Sequence, residues 1–202
     1  MLFSLVLGAA PTSRAQAGAP APAPQLVPRF SSDSGLLWEE TANPNHYFDA
    51  IGRKAAVFGK QDGKFEAWVW PIKILHGFRL EFRLDNMPEP VRAENYLQSV
   101  QVRPESTTLL YVHPNFTVKQ TVWAADDRSA IVIFFDVDSD RPLSMTVKFV
   151  PDFKPMWPAS MGGQHSGWLD EERAFTLSDG TYKPTAVIGS PATSANTEFM
   201  DH

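Results

Sequence analysis

The chain has 202 residues, 43% of them hydrophobic and 12% aromatic, which is enough for one substantial core. Its net charge is −5 and its lysines and arginines form no cluster, which argues against nucleic acid or an anionic membrane surface as partner. It has no cysteine, which excludes disulfides, thiol catalysis and cysteine-ligated metal. The compartment stays open on that ground, because a domain with a large core can be exported without disulfides.

Leu2 to Ala10, LFSLVLGAA, is an apolar run. Ala15 to Ala17, AQA, then puts small residues at the two positions that a signal peptidase reads. Residues 1–17 are therefore read as a secretory signal peptide, and the protein as exported, to periplasm or medium. No Lys or Arg precedes Arg14, so the basic leading region is missing and the start is expected to be truncated. The run is shorter than the ~20 apolar residues that a membrane-spanning helix needs. Residues 18–29 fall in a Pro/Ala-rich linker, AGAPAPAPQLVP from Ala17 to Pro28, which favours an extended, poorly packed chain. Leader and linker are expected to be disordered. The domain proper is expected over residues 30–202, incomplete at its C-terminal end, where NTEFMDH carries no stop signal.

From about Arg53 the chain reads as consecutive strands. FEAWV, from Phe65, alternates: Phe65, Ala67 and Val69 share one face and Glu66, Trp68 and Trp70 the other. In FRLEFRL, Phe78, Leu80, Phe82 and Leu84 face inward and Arg79, Glu81 and Arg83 outward, the pattern of a half-buried antiparallel strand. NYLQSVQV (Asn95 to Val102), STTLLYVH (Ser106 to His113) and FTVKQTVWA (Phe116 to Ala124) follow, separated by the turn signals RPE and HPN. AIVIFFDV (Ala130 to Val137) is almost continuously apolar and is predicted to be a central strand with both faces covered. LSMTVKFV (Leu143 to Val150) alternates again, and RAFTLS and TAVIG are weaker candidates near the end. Turn signals recur every 8–12 residues or so, and no amphipathic helix of three turns is present. The expected fold is all-β: an antiparallel sandwich of the supersandwich type.

Sequence signatures of catalysis are missing: there is no Gly-x-Ser-x-Gly, no His-Glu-x-x-His and no phosphate loop. GGQHSG (Gly162 to Gly167) has neither a strand before it nor a helix after it, and is expected to be a surface loop. DVDSD (Asp136 to Asp140) starts like a calcium loop. Arg141 then stands where the turn glycine belongs and Val147 where the bidentate Glu belongs, so a charged turn is expected instead. The histidines are scattered without metal-ligand spacing. Glycoside hydrolysis needs two carboxyls converging across a sugar. Asp62, Glu66, Asp126, Asp127 and the Asp170-Glu171-Glu172 run are candidates by type only. Neither a cofactor nor a metal is expected.

The aromatics are more pointed. The outer face of FEAWVW has two tryptophans and an acid, which a water-facing strand does not need. They cover a neighbour inside the protein, meet a second domain, or stack on a ligand. Trp157 and Trp168 flank the glycine-rich stretch and are of the same kind. The substrate or domain-interface candidates are therefore Glu66, Trp68, Trp70, Lys73, Trp157 and Trp168.

GRKAAVFGKQDGKFEAWVWPIKIL (Gly52 to Leu75) resembles the opening of the amino-terminal β-sandwich of bacterial glycogen-debranching and glucoamylase-type glycoside hydrolases. VRPESTTLLYVHPNFTVKQTVWAADD (Val102 to Asp127) and FVPDFKPMWPASMGG (Phe149 to Gly163) fit the same domain in the same order. The resemblance spans about Phe30 onward. It implies a partner domain, a carboxy-terminal (α/α)6 barrel of the same protein, and an α-glucan or oligosaccharide substrate. It also implies that the catalytic acid and base lie in that barrel, so no catalytic residue is assigned in this chain. The rival readings are a free-standing carbohydrate-binding module and a structural cell-envelope sandwich.

Overall fold

The structure, a computed structural model, describes residues 2–9, 35–155, 164–179, 185–192 and 199–200. Among them there is no α-helix, only one 3-10 turn at Ala93–Tyr96. The strands are β1 (Leu2–Ala9), β2 (Trp38–Thr41), β3 (Tyr47–Ile51), β4 (Ala55–Lys60), β5 (Phe65–Val69), β6 (Ile72–Leu84), β7 (Val91–Arg92) and β8 (Leu97–Arg103). They continue with β9 (Ser106–His113), β10 (Phe116–Ala124), β11 (Ile131–Ser139), β12 (Leu143–Pro155), β13 (Gln164–Leu169), β14 (Ala174–Asp179), β15 (Thr185–Gly189) and β16 (Phe199–Met200).

Every pairing is antiparallel, and three sheets result. A large sheet runs β16-β1-β12-β6-β5-β4-β3, with β7 beside β6. A five-stranded sheet runs β11-β10-β9-β8-β2, and a three-stranded sheet runs β13-β14-β15. The first two pack face to face. Phe82 of the large sheet meets Tyr111 and Phe116 of the five-stranded sheet edge-on, with ring centroids 5.5 and 5.1 Å away. The three-stranded sheet closes on β12, where Phe149 meets Phe175. The alternation read from the sequence is the burial observed. Phe78, Leu80, Phe82 and Leu84 lie in the core, with Leu143, Met145 and Val147 opposite the last three and Phe149 buried beside them at a register shift. A small satellite core of Ile74, Phe153 and Leu177 lies under the three-stranded sheet.

The hairpin between β4 and β5 shows how local chemistry sets the register. Gly63 sits at φ +86°, where a side chain is strained, and a Cβ there would stand 2.7 Å from the Tyr111 hydroxyl. The Asp62 carboxylate accepts from the Lys64 backbone N–H at 3.0 Å. Gln61, buried in the same turn, clasps β2 to this end of the sandwich. Its carbonyl accepts from Asn43 N–H and its amide donates to Glu40. Arg53 and Lys54, just before β4, donate to the backbone carbonyls of Asp126 and Asp127.

The structure corrects several expectations. The AIVIFFDV strand is not central: β11 is the edge of the five-stranded sheet, paired only with β10 among the described strands. An apolar run reports that both faces meet apolar surroundings, and says nothing of how many strands lie alongside. DVDSD is largely strand, with Asp136 and Asp138 on β11 and only Asp140 beyond it. The GGQHSG stretch is not all loop, because Gln164–Leu169 pairs with β14. The leader, expected to be disordered, contains a strand. Phe3 to Ala9 pair with Phe149 to Leu143 of β12. An apolar run suits a strand within a sheet as well as a signal peptide. β2, β3, β4, β7, β13 and β16 have no counterpart among the strands named from the sequence. The linker at 18–29 and the small residues at Ala15–Ala17 lie outside the described residues.

Candidate functional site

β5 and β6 form a hairpin whose tip is Trp70-Pro71, with a cis peptide bond between them. Val69 pairs with Ile72 and Trp68 with Lys73, so both flanks of the tip face each other. Phe65 and Ala67 face the core. Val69, also expected there, packs on the satellite core instead. Glu66 and Trp68 consequently stand on the opposite, outer face.

A tight charge cluster forms on that face. The Trp68 indole N–H donates to Glu66 Oε1 at 2.9 Å, and Lys73 Nζ lies 2.9 Å from Glu66 Oε2. Lys73 also sits 5.1 Å from the Trp68 ring centroid, over its face. β12 adds Asp152, 3.5 Å from Lys73 Nζ and 3.2 Å from His76 Nδ1. Thus two carboxylates share one ammonium, with an imidazole alongside.

The electrostatics follow from that sharing. Partial burial pushes the Glu66 carboxyl up, but hydrogen bonds from Trp68 and Lys73 and the charge of Lys73 outweigh it, so its pKa is lowered. Burial likewise pushes Lys73 down, and its contacts with Glu66 and Asp152 more than offset this, so its pKa is raised. Both groups are held charged. A carboxylate locked to an ammonium is a poor general acid, and both Glu66 and Asp152 are engaged by cationic or imidazole partners. The cluster can hold a shape, present charge and accept hydrogen bonds at its rim.

Trp70 is different. It is 65% exposed at the hairpin tip, tied to the fold by its backbone N–H donating to the Lys54 carbonyl at 2.9 Å. One face of Trp68 is taken by Lys73, whereas Trp70 is the aromatic here with room to stack on a ligand or a second domain.

The structure thus brings together Glu66, Trp68 and Lys73, with Trp70 next to them. Trp168 belongs to a separate network on β13, half-buried edge-on to Phe175 at 4.9 Å, its indole donating to Asp170 at 2.7 Å. Trp157, Gly162 and Gly163 lie outside the described residues. Sequence reasoning missed His76 and Asp152. They join the cluster through the β6–β12 register, which shifts between Lys148 and Val150 and again after Pro151. A strand bulge of this kind has no signature in a single sequence.

A second exposed aromatic surface lies where the β3 edge of the large sheet and the β2 edge of the five-stranded sheet come together. Trp38 on β2 and Tyr47 on β3 are both exposed. An open groove of about 480 Å³ runs there between the two sheet edges, lined mainly by Leu36, Leu37, Trp38, Ile51 and Val102. Comparison with protein families, with curated proteins and with solved structures returns no match for this chain.

Proposed function

We propose that this chain is the non-catalytic amino-terminal β-sandwich of an exported, α-glucan-active glycoside hydrolase. In this reading the β5–β6 tip meets the catalytic barrel or helps to wall its substrate pocket. The motif resemblance supplies the family. The observation that supports the site is Trp70, a large aromatic held exposed at a hairpin tip beside a cluster whose two carboxylates share the Lys73 ammonium. Such a patch is suited to stacking and hydrogen bonding rather than to bond cleavage. The catalytic acid and base are assigned to the barrel.

The test uses the chain and the longer enzyme together. The chain alone should release no more than traces of glucose from maltodextrin or glycogen. Trp70→Ala in the longer enzyme should raise KM or loosen the two domains while the sandwich still folds. Hydrolysis by the chain alone refutes the assignment. Retention of the chain in a glycogen-containing native gel, lost in Trp70→Ala, points instead to a free-standing carbohydrate-binding module.

A further inference from the structure

The five-stranded sheet ends on β11, whose outer backbone edge pairs with no strand among those described. Seven of the eight residues from Ala130 to Val137 are apolar. Ile131, Ile133, Phe135 and Val137 pack against the core, yet each remains only partly buried. A long apolar edge is prone to pair with another chain, and folds usually blunt it with proline, lysine or a bulge. β11 has none of these. It contains no Pro and no Lys, and its pairing with β10 runs unbroken through nine residue pairs. Its only charges, Asp136 and Asp138, lie in its C-terminal half.

The charges at its two ends are complementary. Arg128, three residues before the strand, has its side chain 81% exposed, and its contact with Asp127 is stretched to 4.0 Å. Asp138 has Thr117 as its cross-strand neighbour within the chain, not a cation. We propose that the β11 edge docks a second copy of this chain, with the two β11 strands antiparallel and the register centred on Ile133. Ile131 then lies opposite Phe135, so core-facing residues meet core-facing residues, and Val132 lies opposite Phe134 on the outer face. Arg128 of each copy, in the β10–β11 turn just before the strand, then stands at the end of the interface where Asp138 of the other copy lies, twice by symmetry. The product is a continuous ten-stranded sheet. This surface is independent of the glucan reading.

Sedimentation velocity of the chain over a concentration series reads the association. A strand-edge interface is small, so a dissociation constant on the order of micromolar is expected. Arg128→Glu and Asp138→Arg should each weaken the dimer about tenfold, because attraction becomes repulsion in both symmetric pairs. The charge-swapped double variant should restore it. Both positions are exposed, and unchanged thermal melting of each variant confirms that the fold is intact. Amide exchange along β11 should slow as concentration rises. A chain that stays monomeric, a dimer indifferent to the single reversals, or one that the swap fails to rescue overturns the proposal.

Discussion

Phe82 offers the sharpest measure of how the sandwich is held together. Its side chain is fully buried, and its ring packs edge-on against Tyr111 and Phe116 across the two sheets. It is therefore a strut between sheets rather than a contact within one. Removing the ring in Phe82→Ala leaves a cavity that neither rigid sheet can collapse to fill. Changes of this kind cost about 3–5 kcal/mol, which includes the lost aromatic pairs. Against the ~5–15 kcal/mol total stability of an ordinary domain, that is a large fraction. Equilibrium urea unfolding followed by tryptophan fluorescence measures it. With a urea slope of roughly 2 kcal/mol per molar, the midpoint should fall by about 1.5–2.5 M at unchanged slope. The control is its neighbour Arg83, which points the other way and is exposed. Arg83→Ala should move the midpoint by no more than about 0.25 M, the equivalent of half a kcal/mol. Equal shifts for the two variants would refute the packing argument and with it the register of β6.

Tyr111 donates its hydroxyl to Gln120 Oε1 at 2.9 Å in the core, and burial drives the phenol pKa upward. Gln120 Nε2 has no hydrogen-bond partner among the described residues, so this pair is poorly satisfied. Tyr111→Phe should cost about 1–3 kcal/mol by orphaning the Gln120 carbonyl as well, whereas Tyr111→Phe with Gln120→Leu should recover most of the loss in the same unfolding assay. At the hairpin cluster, the lowered Glu66 pKa means that the unfolded chain binds more protons than the folded one as pH falls through the carboxylate range. Its stabilisation is therefore present above the unfolded carboxylate pKa and is lost as pH falls through the folded one, from roughly pH 5 downward. Lys73, whose pKa is raised, has the opposite dependence: its share holds at neutral pH and fades only as pH rises through the strongly alkaline range. Lys73→Met leaves Glu66 and Asp152 without their shared cation, so the acid-side loss of stability attributable to Glu66 should flatten or reverse in urea midpoints measured from neutral to acid pH.

Much of this fold was legible from the order of residues. The two-residue period of FRLEFRL and LSMTVKFV fixes which side chains are buried, because in a strand alternate residues must point to opposite faces. STTLLYVH, FTVKQTVWA and TAVIG have observed strand bounds that agree residue for residue with those read from the sequence. The outward placement of Glu66 and Trp68 follows from the same rule. Tertiary structure alone decided who meets whom. AIVIFFDV reads as central and is an edge, because apolarity of both faces does not encode the presence of a neighbouring strand. LFSLVLGAA reads as a leader and pairs with β12, because an apolar run suits either environment. Asp152 of β12 reaches Lys73 and His76 of β6 only through shifted pairing between strands about seventy residues apart in sequence. Trp168, chemically identical to Trp70, is held half-buried against Phe175 while Trp70 stands at a hairpin tip. Alternation is a local property of the backbone and is written in the sequence. Register, sheet edges and the company a side chain keeps depend on non-local pairing, which a local pattern does not specify.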